Sequence, residues 1–404
     1  MRDLLGTLRR PSRPLAAVLA AGAVLLVGGA ALAAAALSAD NTWPYASNDR
    51  SPVLAAVGDV SCQPTGPVEG EKQKDVCDKT GNGYTTRWQA QTATANQIEA
   101  MRPDLVAILG DEQYEVGRYE DFMASFDHTY GAFKFLQRPA PGNHEFYSEH
   151  GESGVHGAGY FDYYNGYQVN PNDGSPVTSA VSAGDGGAPV TQPVPRQDGQ
   201  AGHFGTDGDG WYSYDLGSWH IISLNAECAV QPGGCDPNGA WLASETQWLG
   251  RDLANDHAAC TLAYWHQPTF SVAGTTADPE GVAADAWWKL LYQHGADVVL
   301  NGHDHTYARY APMDPAGNAD PKKGIREFIV GTGGESLDQP ISNANTPNLQ
   351  AATGDYYGVM KLTLDHNSYG WDYESAMKSP DAPAAEPAGF SDTGTAQCHG
   401  PVTG

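Results

Sequence analysis

Basic residues are scarce in this chain of 404 residues: 22 Lys and Arg stand against 48 Asp and Glu, a formal charge of −26. That balance argues against a nucleic-acid surface and against binding to anionic lipid. An anionic substrate would have to be drawn by bound cations, because the overall field repels it. Cysteine is scarce as well. Cys62, Cys77, Cys228, Cys235, Cys260 and Cys398 include no close CxxC pair, which argues against a zinc knuckle. No internal repeat is evident.

What the chain does have begins with Arg2, Arg9, Arg10 and Arg13, followed by an almost unbroken apolar stretch from Leu15 to Leu37. Small residues at Ala31–Ala33 and Ala36–Ser38 offer signal-peptidase sites, so residues 1–39 read as a secretory signal. The rival reading is a retained membrane anchor through residues 15–37, a stretch long enough to span a bilayer but only weakly hydrophobic. Either way the remainder is expected outside the cell, as a secreted protein or one anchored to the outer face of the membrane. An even cysteine count in an exported protein predicts disulfides. The preferred pairing is Cys62–Cys77 and Cys228–Cys235, closing short loops, with Cys260–Cys398 tying down the C-terminal end.

The expected organisation is one large catalytic domain over residues 50–375, because the site described below draws residues from positions 59 to 305. Residues 168–210, rich in Asn, Asp, Gly, Pro and Ser, read as a flexible insertion. Residues 376–404 read as an irregular tail. Buried strands are predicted over 51–60, 104–111, 260–266 and 296–305, with a short one ending at the GNHE turn. Helices are predicted over 85–101, 118–133, 243–256 and 284–295, a hairpin over 210–225, and further strands over 325–334 and 356–374. Strands alternate with helices early and hairpins come later. That pattern predicts an α/β fold of two packed sheets with helices outside.

Five segments carry the chemistry: Asp59 in VGDVSC, Asp111 and Tyr114 in LGDEQY, Asn143 and His144 in GNHE, His266 in AYWHQP, and His303 and His305 in NGHDH. All but GNHE directly follow an apolar run, and ligands of open α/β sheets bind beyond the C-terminal strand ends. Alone, a Gly-Asp after a strand is often a turn, and a lone His266 is often a satisfied half-buried imidazole. Two His flanking one residue after a buried strand can face one cavity. Carboxylate, imidazole, phenolate and amide oxygen together suit hard or borderline ions such as iron, zinc and manganese.

The set resembles the calcineurin-like metallophosphoesterase superfamily, with its order Asp-x-His, Gly-Asp, Gly-Asn-His-Asp/Glu, His, Gly-His-x-His. Ser61 stands where the first motif normally has its His, and Tyr114, three residues after Asp111, stands as its replacement. GDxxY without that His, together with GHDHTYAR, resembles the purple acid phosphatase branch. The resemblance implies a two-sheet β sandwich flanked by helices and a dinuclear centre. Asp59, Asp111, Tyr114 and His305 would hold ferric iron. Asp111, Asn143, His266 and His303 would hold zinc, iron or manganese, with Asp111 bridging. It further implies phosphomonoester hydrolysis by attack of a metal-activated hydroxide, with His144 as acid or oxyanion stabiliser. Glu145 is the carboxylate that would orient His144 if its role were only structural. Tyr307 and Arg309 could line the substrate pocket, or could form a structural Arg–carboxylate pair. The loop QPTFSVAGTTADPEG lacks the His residues usual in that branch, so substrate contacts should differ. The alternatives are a phosphodiesterase or nucleotidase on the same site, and a non-catalytic cell-surface binding protein.

Overall fold

The structure, a computed structural model, describes residues 50–64, 76–77, 86–146, 157–166, 178–181, 190–193, 209–272, 280–338, 341, 346–384 and 387–400. The expected signal or anchor over residues 1–39 lies outside these. Among the described residues no helix is long and apolar enough to cross a membrane. The 168–210 insertion lies largely outside them too, apart from an antiparallel ribbon of two strands, Thr178–Val181 and Val190–Pro193.

Two mixed sheets form the centre. In the first, β1 (Val53–Val57), β2 (Leu105–Leu109) and β3 (Gln137–Ala140) run parallel. Counting the ribbon as β4 and β5, the second sheet contains the hairpin β6 (Tyr212–Leu216) and β7 (Trp219–Ser223), then β8 (Cys260–Tyr264) and β9 (Val298–Asn301). Strands β7, β8 and β9 are mutually parallel. The second sheet is completed by β10 (Tyr307–Tyr310), β11 (Arg326–Val330) and β12 (Leu349–Thr353). The first is completed by β13 (Tyr356–Leu364), β14 (Ser368–Lys378) and β15 (Ser391–Gln397). Parallel strands covered on both faces need apolar residues at nearly every position, as in LVAIL and CTLAY.

Leu54, Leu109, Trp219, Leu262, Leu300, Phe328 and Met360 share the core between the sheets. A second core lies between the second sheet and the helices Ala240–Asn255 and Gly281–His294, where Trp265, Trp287 and Trp288 are buried. On the opposite outer face, helix Thr86–Met101 packs on β13 and β14. Its buried residues Ala90, Gln91, Thr94, Ala95 and Ile98 fall on one stripe of helical spacing. The result is helix, sheet, sheet, helix, as expected.

Two expectations are corrected. The helix expected over 118–133 is broken: a helical turn at Tyr119–Asp121 passes into a π-helical turn at Phe122–Phe126, then Asp127–Thr129, then a 3-10 segment at Gly131–Leu136. Aromatic packing competes with regular winding here, since Phe122 stacks on Tyr163 and Phe126 on Tyr130. The tail 376–404 is not irregular throughout. Strand β14 continues to Lys378, and β15 adds an edge strand. Its sequence SDTGTAQ has no apolar alternation, so its order comes from polar and covalent ties. Asp392 accepts hydrogen bonds from Tyr307 and Arg309, and Cys398 is bonded to Cys260. Cys62–Cys77 and Cys228–Cys235 form the other two disulfides.

Candidate metal centre

The exit loops of β1, β2, β3, β8 and β9 meet at one edge of the sandwich. The loops after β1 and β2 zip together through backbone bonds from Asp59 N to Gly110 O, Val60 N to Asp111 O, Ser61 N to Glu112 O and Tyr114 N to Ser61 O. Asp59, Asp111 and His303 adopt left-handed backbone, with φ of 60°, 51° and 67°. Such a conformation costs a non-glycine residue on the order of 1–3 kcal/mol, and it clusters at functional sites. Glycines let the walls close in. A Cβ on Gly110 would meet His266 Nδ1 at 2.5 Å, and one on Gly302 or Gly331 would meet Asp59 Oδ2 at 2.7 Å.

All seven expected ligands converge. Tyr114 Oη lies 2.9 Å from Asp59 Oδ1, 2.9 Å from Asp111 Oδ2 and 3.1 Å from His305 Nε2. His266 Nε2 is 3.1 Å from the same Asp111 Oδ2. His303 Nδ1 is 3.1 Å from Asn143 Oδ1 and 3.2 Å from His266 Nε2. The ligating atoms of Asp111, His266 and His303 lie within 4.8 Å of one another. Asp111 Oδ2 therefore sits between two half-sites, one around Tyr114 and one around His266. Ser61 is fully buried and its hydroxyl has no partner among the described residues, so the phenol of Tyr114 supplies the inward donor atom on that side.

Imidazole orientation tests whether this set fits a metal. His266 Nδ1 is 2.8 Å from Leu109 O, and His305 Nδ1 is 2.5 Å from Ser336 O. A carbonyl can only accept, so each Nδ1 carries hydrogen and each neutral ring turns its Nε2 lone pair into the site. Carboxylate oxygens and the Asn143 amide oxygen face the same space. Converging lone pairs of this kind suit a cation. Without one, protons gather there. Burial opposes charge on His266 and His305, but Asp111 and Asp59 outweigh it and push both up to about 10. Burial likewise works against the Asp111 charge, but His266 and His144 hold its carboxyl well below the usual range. Burial, with Asp111 and Asp59, raises the Tyr114 phenol.

His144 stacks against Tyr114 with ring centroids 4.1 Å apart. Its Nδ1 donates to Glu115 O at 2.8 Å, which leaves Nε2 facing the cluster, 3.8 Å from Asp111 Oδ2. Burial holds its imidazole below the ordinary value, against the pull of Asp111. Glu145 does not act as its orienter. The Glu145 carboxylate accepts from the backbone nitrogens of Asp111, Gln113 and Gly142 at 2.9, 3.1 and 2.9 Å, and so holds two ligand loops together. Burial and Asp111 push it up to about 7.

Tyr307 and Arg309 are not brought to the cluster, which corrects the reading of them as pocket-lining residues. Tyr307 is fully buried and stacks on Tyr373, and its hydroxyl donates to Asp392 at 2.7 Å. Arg309 forks onto Asp392 at 2.7 and 3.0 Å. They form the structural pair. Sequence reasoning missed the segment after β11, GTGGESLD, whose Ser336 and Asp338 hold His305. Its glycine run directly after a buried strand at the same sheet edge was the available signal.

The family model described as calcineurin-like phosphoesterase matches residues 54–307. Purple acid phosphatase 15 of Arabidopsis thaliana is 28% identical over 145 residues, covering 34% of this chain and 24% of that protein. A probable inactive purple acid phosphatase 1 from the same plant is 24% identical over 315 residues, covering 72% of this chain and 45% of that protein. The chain thus spans less than half the length of either relative. Among solved structures, PhoD superposes with a TM-score of 0.50 at 14% identity, over 87% of this chain and 70% of its own. That is a likeness of fold.

Proposed function

The chain belongs to the calcineurin-like phosphoesterase family, and from that premise we propose that it is an exported phosphatase that hydrolyses phosphomonoesters at a dinuclear metal centre. The observation that carries this reading is Tyr114 Oη, held within 2.9 Å of Asp59 and Asp111 and 3.1 Å of His305, in a chain whose first motif ends in Ser61. Asp59, Asp111, Tyr114 and His305 would hold one ion, a hard trivalent one such as ferric iron. Asp111, Asn143, His266 and His303 would hold a divalent zinc, iron or manganese, with Asp111 contributing to both. When bound, such a pair supplies Lewis acidity to the phosphoryl oxygens and acidifies water for in-line attack.

The protein's own residues supply position and protons. Glu145 and the left-handed backbone at Asp59, Asp111 and His303 fix the ligand loops before substrate arrives. Glu115 O fixes the His144 ring so that Nε2 faces the cluster. His144 would deliver a proton from Nε2 to the leaving-group oxygen. Three disulfides support export.

A non-catalytic role is the second reading, favoured by the description of the Arabidopsis relative with the longer match as inactive. Seven converging ligands weigh against it. Metal analysis followed by turnover of p-nitrophenyl phosphate and bis-p-nitrophenyl phosphate separates the possibilities. Two equivalents of metal with faster monoester turnover are expected. Faster diester turnover would make it a phosphodiesterase, and bound metal with no turnover would favour the binding protein.

A further inference from the structure

We propose that Arg87 and Glu335 are a positioning pair for the Tyr114 half of the site, governing how tightly that half holds its ion without governing the other half. The inference rests on the metal-centre reading above.

One short segment after β11 touches the backbone of both Asp59 and His305. Gly333 N donates to Gly58 O at 2.9 Å, and Glu335 N donates to Asp59 O at 3.0 Å. Ser336 O accepts His305 Nδ1 at 2.5 Å. His305 N donates to Asp338 Oδ2 at 3.1 Å, and Asp338 N donates back to His305 O at 3.0 Å. The His266 half is held differently. There, Leu109 O orients His266, and Glu145 ties the Asp111 loop to the Asn143 loop.

The segment is anchored from below by helix Thr86–Met101. Thr94 Oγ1 donates to Gly333 O at 2.6 Å. Gly334 lies so close to this helix that a Cβ there would meet Gln91 at 2.9 Å. The Glu335 carboxylate turns down onto Arg87 in an ion pair and accepts Ser336 N at 2.6 Å. Both side chains of the pair are about 95% buried. Glu335 thus holds Ser336 by its backbone N–H, one peptide before the Ser336 carbonyl that sets the His305 tautomer, and Arg87 neutralises a carboxylate that would otherwise stand unbalanced behind the ligands. Let the pair go, and Ser336 O can drift. His305 then loses the hydrogen bond that aims its Nε2 at Tyr114 and Asp59. Outer groups behind a ligand typically govern about 10–100-fold in metal affinity.

The test compares the wild-type holoenzyme with Arg87→Met/Glu335→Met, which replaces the pair by apolar volume and leaves no buried lone charge, and with Arg87→Lys. Iron and zinc released to a graded chelator are counted by elemental analysis. The visible phenolate-to-iron band and the thermal midpoint of the metal-free proteins are read in parallel. In the double variant one of two metal equivalents should be released at about 10–100-fold less chelator. The band should fade with that equivalent, the second should be released as in wild type, and the metal-free midpoint should be unchanged. Arg87→Lys should behave as wild type. Equal loosening of both equivalents, loosening of neither, or an equal loss of stability with and without metal would overturn the proposal. A wild-type chain that binds no metal would sink the metal-centre reading and this inference with it.

Discussion

The second sheet carries histidines at both ends of its parallel strands, and the two ends use them oppositely. At the C-terminal ends, His266 gives one ring hydrogen to a carbonyl and turns its other nitrogen into a cluster gathered from several loops, against Asp111 and His303. At the N-terminal ends, His220 on β7 has Nδ1 2.9 Å from Asp215 and Nε2 2.8 Å from Asp252. Both of its nitrogens donate, so it is an imidazolium strut with no lone pair to offer. Nearby, Cys260 and Cys398 are spent in a disulfide, and Asp297 accepts from His399 and Thr261. Left-handed backbone at Asp59, Asp111 and His303 marks one end, while cross-links and closed ion pairs mark the other. A cluster of His and Asp therefore points to function when its donor atoms converge on one space from several loops, and not when each group is closed in a pair of its own.

The comparison breaks most sharply at Asp111. Asp111→Asn should release both metals and abolish most turnover, because a neutral amide bridges two cations poorly. The loss should exceed the ~10–100-fold typical for a group behind a ligand. Asp104→Asn, at the start of the same strand, removes only a carboxylate bonded to Arg50 and Val53 N, so both metals should stay. Equal metal loss from the two changes would show that Asp111 is not special.

His144→Ala sharpens the functional end. The side chain is outside the ligand set, so both metals should remain. Turnover of esters with poor leaving groups should fall by roughly 10²–10⁴-fold, as for loss of a general acid. p-Nitrophenyl esters, which need less protonation, should lose less. An equal fall for both ester classes would make His144 an oxyanion binder, and loss of metal would make it part of the support of the ligand shell.

How far the sequence reached follows the same division. The meeting of Asp59, Asp111, His266, His303 and His305 at one sheet edge was legible because each follows a run of apolar residues, and a continuous apolar run that stops at a polar side chain marks the end of a buried strand. Tyr114 needed the absent His at Ser61 as its clue. The roles of Glu335 and Ser336 were not legible beyond the glycine run that marks their segment. Both residues lie in a glycine-rich polar stretch with no period, and their roles depend on Arg87, roughly 250 residues earlier. Strand β15 was hidden for a related reason, since Asp392, Gly394 and Ala396 face inward by virtue of partners on other strands. Arg309 was misplaced because a sequence does not say which of several carboxylates an Arg will find.

At the structural end, Cys398→Ser should leave metal content unchanged and lower stability. The Cys260–Cys398 bond spans 138 positions, and removing a native cross-link of this kind costs about 2–5 kcal/mol. Urea unfolding of the two proteins, with metals counted before the transition, checks both halves of the statement. A variant that sheds metal while keeping its stability would invert the division between the two ends.

His220 gives the smallest effect and a defined pH window. Burial disfavours its charge, but the hydrogen bonds to Asp252 and Asp215 outweigh that and push it up to about 9. The folded pKa lies above the unfolded value near 6.5. The pair's contribution is therefore fully present below about pH 6.5 and is lost as pH rises through about 9. Asp215 is 77% exposed, so solvent screening limits the effect to on the order of 1 kcal/mol. Glu227 is pushed up to about 8 by burial and also titrates in this window, so wild type alone would give an ambiguous slope. The difference between wild type and His220→Gln cancels that background. Their unfolding free energies should differ most at pH 6 and converge by pH 10, with two metals bound in both throughout. A constant difference across that range would mean that His220 acts only through packing. A difference that grew with pH would mean that the imidazole is neutral in the folded chain and that its carboxylate partners are not bound as they appear.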